Sequence, residues 1–166
     1  MNKVLILIPA YNEEQNLPAI FDQLCTSETQ EFADILVVND ASTDQTASVA
    51  RAYPVTLINN VFNLGYGSAL QVGYKYAVQY GYEYIIQMDS DGQHDISNIP
   101  LIYKNLVTPD SEGAYPDIVI GSRFMEGSVS FKISTIKRWS ILFFRWIIKK
   151  ATGKWITDPT SGLQGL

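Results

Sequence analysis

Five short apolar runs, each too brief for a helix, set the frame of this chain: Val4–Ile8, Ile35–Val38, Val55–Ile58, Tyr84–Met88 and Ile118–Ile120. Strands covered on both faces need such near-continuous apolar stretches, whereas half-exposed strands alternate apolar and polar residues. Stretches with helical spacing lie between them. Glu14–Leu24 carries Leu17, Ile20, Phe21 and Leu24 on one face. Ser42-Thr43-Asp44-Gln45 reads as a capping box in which Ser42 opens a helix to Ala52. The loop Asn63-Leu64-Gly65-Tyr66-Gly67 leads into a helix over Ser68–Tyr80, and Ser97 caps one through Val107 with Pro100 in its first turn. A basic helix rich in Trp and Phe occupies 131–151 and is stopped by Gly153. The alternation predicts βαβα units around a mostly parallel sheet, an α/β fold.

At 166 residues the chain fits one domain. Its single cysteine, Cys25, excludes an internal disulfide and a cysteine-based zinc site. No apolar run approaches the roughly 18–20 residues that span a bilayer, and no signal peptide is evident, so a reducing, cytoplasmic setting is expected. The net charge of −5 is split: residues 1–126 hold sixteen acids and five bases, residues 127–166 one acid and seven bases. An acidic body does not suit nucleic acid as a partner. It suits a site that needs a cation, beside a basic segment able to meet an anionic surface. The final Thr160–Leu166 stretch resembles a strand cut as it begins, so a C-terminal truncation is expected.

Ligands of open α/β sheets sit beyond the carboxyl ends of the strands. Those ends carry Pro9-Ala10-Tyr11-Asn12-Glu13-Glu14, Asn39-Asp40, Asn59-Asn60, Asp89-Ser90-Asp91 and Gly121-Ser122-Arg123. The first turn has two glutamates and no glycine, which excludes a dinucleotide-binding turn, and no Gly-Lys-Ser/Thr sequence forms a P-loop. Carboxylates such as Glu13 and Asp40 can instead accept hydrogen bonds from a ribose hydroxyl or a base N–H. They can equally serve as helix-entry or turn residues. Asp89 and Asp91, one residue apart at a strand end, can converge on a hard cation. Mg²⁺ or Mn²⁺ is typically held by one or two carboxylates together with substrate phosphates. His94 is either a partner of these acids or a core residue, and Arg123 and Arg138 either grip phosphate or bridge to acids.

Taken in order, Ile8–Glu14, Val38–Thr46, Asn63–Gly67, Asp89–His94, Gly121–Phe124 and Asp158–Gly162 resemble family 2 glycosyltransferases, nearest the dolichyl- or polyprenyl-phosphate sugar synthases. The resemblance implies a GT-A, Rossmann-like fold with helices on both faces of the sheet. It implies an inverting transfer from a UDP- or GDP-linked sugar to a polyprenyl phosphate. On the matching positions, Pro9, Tyr11, Glu13 and Asp40 hold the nucleoside. Asp89 and Asp91 manage metal and diphosphate, and Gln93, Arg123 and Arg138 lie near the sugar or acceptor phosphate. Asp158 takes an acceptor-side or structural role. Where the family often shows Asp-Asp-Gly-Ser, this chain has Asn39-Asp40-Ala41-Ser42, and Ala41 removes freedom from a turn.

A lipid phosphate is already anionic and needs no strong base. A sugar hydroxyl does, and Asp158 is then the candidate, with Asp91 and Arg123 completing the catalytic set. A non-catalytic scaffold binding a partner through the basic helix is the other alternative. The aromatic residues of that helix fit either a core face or peripheral contact with anionic lipid.

Overall fold

A computed structural model describes residues 3–92, 94–122, 135–153, 155–158 and 161–166. At its centre is β1 (Val4–Ala10), a strand of seven residues, all buried. It pairs in parallel with β2 (Ala33–Asn39) on one side and with β4 (Tyr84–Gln87) on the other. Beyond β2 lies β3 (Thr56–Asn59), again parallel. Beyond β4 the direction reverses. There β6 (Gln164–Gly165) is antiparallel both to β4 and to β5 (Val119–Ile120), giving the order β3-β2-β1-β4-β6-β5. The sheet is therefore mostly parallel, with its late-arriving strand wedged between β4 and β5.

Alternate side chains of β1 feed two cores, as the period of two in a strand requires. Val4, Ile6, Ile8 and Ala10 pack with α1 (Leu17–Leu24), with Ala50 of α3 (Thr46–Arg51) and with α5 (Ile99–Leu106). Leu5 and Leu7 pack with Leu36, Val38 and α4 (Tyr66–Tyr80) on the opposite face. Contact with α4 is close: a Cβ on Gly73 would lie 2.2 Å from Leu7 Cδ1. The helices thus cover both faces, as the apolar runs imply.

Several boundaries differ from expectation for local reasons. Helix α1 begins at Leu17 rather than Glu14, because the Glu13 carbonyl accepts from Asn16 and Leu17 in a turn and Pro18 occupies the first helical turn. Ser42 caps nothing. Helix α3 begins at Thr46, and Ser42 Oγ instead accepts the Asn12 N–H from across the rim at 2.9 Å. Ser97 is likewise not a cap, since Asp95 accepts its N–H at 3.0 Å and opens the 3-10 turn Ile96–Asn98 ahead of α5. The short α2 (Ser27–Phe32) was not expected, because its sequence SETQEF has one apolar side chain and hence no periodicity. Helix α6 (Thr135–Thr152) runs to Gly153, which at φ +72° stops it in the left-handed conformation.

Candidate active site

The parallel strands part company at β1, where the chain passes to β2 on one side and to β4 on the other. That reversal of strand order opens a crevice at the carboxyl ends, as in other open α/β sheets. A cleft of about 620 Å³ lies there. Pro9, Tyr11, Glu13, Asp40, Asp89 and Asp91 all line it, although they come from three separate strand ends. Tyr66, Gly162 and Gln164 complete its wall near the acids.

Two loops are stitched together to form one side of the cleft. Asn12, at φ +57°, receives the Thr43 N–H on its side-chain oxygen at 2.8 Å, in return for its own bond to Ser42. Asparagine tolerates that left-handed backbone better than most residues. The Glu13 N–H donates to Thr46 Oγ1 at 2.8 Å, and the Glu14 N–H to Asp44 Oδ2 at 3.1 Å. The Asp44 carboxylate also accepts the Thr46 N–H at 2.9 Å. Burial works against the Asp44 charge, but the bond from the Thr46 hydroxyl, with those from the Thr46 and Glu14 N–H groups, outweighs it and holds the pKa below the usual aspartate value. The stitching fixes where Tyr11 and Glu13 stand.

Asp40 is buried and heavily hydrogen-bonded. Its Oδ1 accepts from Asn60 Nδ2 at 2.7 Å and from the Leu64 N–H at 2.9 Å, and its Oδ2 accepts the Gly65 N–H at 2.7 Å. Burial alone would raise its pKa, yet the bonds from Asn60, Leu64 and Gly65 bring it below the usual value. Asp40 therefore lines the cleft and also organises the loop into α4. Gly65 takes φ +85° there, a conformation that suits glycine.

The acids after β4 are held differently. Asp89 Oδ1 accepts from the Tyr66 hydroxyl at 2.7 Å, and Asp89 Oδ2 lies 3.5 Å from His94 Nε2. Burial, followed by the bond to Asp89, raises the Tyr66 pKa above the usual phenol value. Ser90 Oγ donates to the Pro9 carbonyl at 2.9 Å, locking the end of β4 to β1. Asp91 is exposed at the rim. Among the described residues no group of three or more His, Cys, Asp or Glu could hold a metal ion. Asp89 and Asp91 are nonetheless hard oxygen donors on one cleft, which fits a divalent cation completed by ligand phosphates.

Asp158 is completely buried and does not line the cleft. Gln93 and Arg123 lie outside the described residues, as does the side chain of Arg138, whose backbone belongs to α6. Tyr66 and Gly162 were not foreseen as site residues. Both lie in stretches that carry the family resemblance, Asn63–Gly67 and Asp158–Gly162, but neither stretch gave these two residues a role.

The family profile described as Glycosyl transferase family 2 matches residues 5–161. The chain belongs to this family. Among its relatives, the dolichol-phosphate mannosyltransferase of Pyrococcus furiosus is 32% identical over 172 residues, covering 99% of this chain and 46% of that protein. The polyprenol monophosphomannose synthase of Mycolicibacterium smegmatis is 31% identical over 143 residues, covering 82% of this chain and 49% of that one. This family 2 chain thus spans about half the length of either relative. A solved structure of glucosyl-3-phosphoglycerate synthase from Mycobacterium tuberculosis, in complex with Mn²⁺, UDP-glucose and phosphoglyceric acid, shares the GT-A fold. Its TM-score is 0.65 at 20% identity, over 98% of this chain and 55% of that one.

Proposed function

We propose that this family 2 chain transfers a sugar from a nucleoside-diphosphate donor to a polyprenyl phosphate, with inversion at the anomeric carbon. One observation carries the proposal: the nucleoside-side residues Pro9, Tyr11, Glu13 and Asp40 share a single cleft with the paired acids Asp89 and Asp91. Pro9 and Tyr11 would form the floor and flank for the base, and the carboxylates of Glu13 and Asp40 would meet its N–H or the ribose hydroxyls. Asp89 and Asp91 would hold Mg²⁺ or Mn²⁺ together with the donor's phosphates. A cation bound there supplies charge neutralisation for the departing diphosphate.

In the transfer, the bond from the anomeric carbon to the diphosphate oxygen breaks as a bond to an acceptor phosphate oxygen forms on the opposite face. A phosphate acceptor is already anionic, so no base has to remove a proton from it. Asp158 is buried and does not line the cleft, which favours this acceptor over a sugar hydroxyl activated by Asp158. Gln93, Arg123 and Arg138 are assigned to the sugar and acceptor phosphate on family resemblance. The relatives named for dolichol-phosphate and polyprenol transfer support the same acceptor class.

Calorimetry with UDP and with GDP, with and without Mn²⁺, tests the donor site, and transfer to a short polyprenyl phosphate tests the acceptor. The expected result is metal-enhanced binding of one nucleotide, abolished by Asp91→Ala without loss of fold. Transfer by Asp91→Ala should fall on the order of 10²–10³-fold, the range for removing one preorganised charge-stabilising group. Unaltered transfer by this variant would remove Asp91 from the mechanism.

A further inference from the structure

Two carboxylates on opposite sides of β1 are joined through consecutive residues of one loop. At the end of β2, Asp40 Oδ2 accepts the Gly65 N–H at 2.7 Å. The next residue, Tyr66, opens α4 and donates its hydroxyl to Asp89 Oδ1 at 2.7 Å, beyond the end of β4. Strands β2 and β4 are not neighbours, since β1 separates them. This connection therefore spans the mouth of the cleft, from the side assigned to the nucleoside to the side assigned to the diphosphate. Tyr66 lines the cleft and is 51% exposed, so its ring is not simply core packing. Gly65 is held at φ +85° by its bond to Asp40, which aims the start of α4 and with it the Tyr66 side chain.

We infer that Tyr66 is a positioning residue for cation-dependent donor binding: its phenol presets the Asp89 carboxylate, and its link through Gly65 to Asp40 ties that setting to the nucleoside side. This rests on the donor-site assignment above. An unrestrained aspartate must lose side-chain freedom when a cation binds, whereas one already hydrogen-bonded in place loses less. In the structure the Tyr66 hydroxyl reaches Asp89. It acts through Asp89, so its removal weakens the metal-dependent part of binding and leaves the rest.

The test is Tyr66→Phe, which deletes one oxygen from a half-exposed ring and leaves the packing of α4 intact. UDP and GDP binding is measured in EDTA and across a Mn²⁺ titration, beside the ligand-free melting temperature. The expected result is a Mn²⁺ half-saturation raised by up to about tenfold, the cost of immobilising one side chain on binding. Metal-free nucleotide affinity stays at the wild-type value, and the melting temperature falls by no more than the few degrees that one lost hydrogen bond costs. An unchanged Mn²⁺ half-saturation overturns the inference. An equal loss of affinity with and without metal also overturns it, because Tyr66 would then be an ordinary nucleotide contact. If wild-type protein binds neither nucleotide in a Mn²⁺-dependent way, the donor site itself is misassigned and the inference falls with it.

Discussion

The Cα of Gly162 is pressed against the carboxylate of Asp89: a Cβ built on Gly162 would lie 1.8 Å from Asp89 Oδ2 and 2.2 Å from Cγ. The segment that leads into β6 thus reaches against Asp89, and only a residue without a side chain lets that carboxylate stand where it does. Since Ser161 Oγ donates to the Gly121 carbonyl at 2.6 Å, the approach is braced from the β5 side as well.

Gly162→Ala should therefore act on Asp89 before it acts on the fold. The obstructing atoms belong to the end of a movable side chain, so the carboxylate rotates away at a cost of about 1–3 kcal/mol, typical of overpacking. The expected outcome is a folded protein whose UDP or GDP binding no longer responds to Mn²⁺. Circular dichroism and calorimetry on one sample check both halves.

Ala41→Gly should stabilise the protein. Ala41 stands at φ +58°, in the turn between Asp40 and Ser42. The left-handed conformation costs a residue with a Cβ about 1–2 kcal/mol. Glycine removes that cost but adds about 0.4–1 kcal/mol of unfolded-state entropy. The first effect wins, leaving a net gain of up to about 1.5 kcal/mol in urea unfolding. A net loss would mean that the methyl group contributes packing larger than the relief.

Stability should depend on acid through Asp40 and Asp44. Both have native pKa values below the ordinary one, so the native state binds fewer protons than the unfolded state in the acid range. Their contribution is complete above the unfolded value of about 3.9 and is lost as the pH falls through the depressed native value. The stability gap between wild type and Asp40→Asn should be widest near neutrality and shrink below about pH 4. Urea midpoints measured from pH 3 to 7 would reveal a flat gap if the charge is irrelevant.

Anionic vesicles should capture the protein through α6. Phe143, Phe144, Trp146 and Trp155 are 48–59% exposed, so the described residues leave them uncovered. Lys149 Nζ lies 5.0 Å from the Trp155 ring and Lys150 Nζ lies 5.2 Å from the Trp146 ring, so cations flank the aromatics. No helix among the described residues is long and apolar enough to cross a membrane, and α6 suits contact with its surface. Co-sedimentation should be strong with phosphatidylglycerol vesicles, weak with phosphatidylcholine, and reduced by salt and by Trp146→Ala. Equal binding to both lipids would rule out the charge contribution.

Much of this protein is written locally. A strand covered on both faces must be apolar almost throughout, so the strands of the parallel half are visible as runs, and the polar residues following them are already at the rim. That is why Glu13, Asp40, Asp89 and Asp91 could be placed together before any coordinates. The termini of α1, α3 and α5 were less legible, because Ser42 and Ser97 have the composition of caps while their partners are chosen by neighbouring segments. Ser42 meets Asn12, thirty residues away, in place of its own helix.

Tertiary structure alone decided the remainder. Nothing within Asn63–Gly67 announces that Tyr66 will reach Asp89, and Thr160–Leu166, though strand-like in sequence, does not announce that it will run antiparallel beside β4. Those contacts join residues 23 and more than 70 positions apart in the chain. Periodicity and turn chemistry report only on neighbours in sequence. A hydrogen bond or a close approach across the sheet exists only once strand order has been set by the packing of every layer at once.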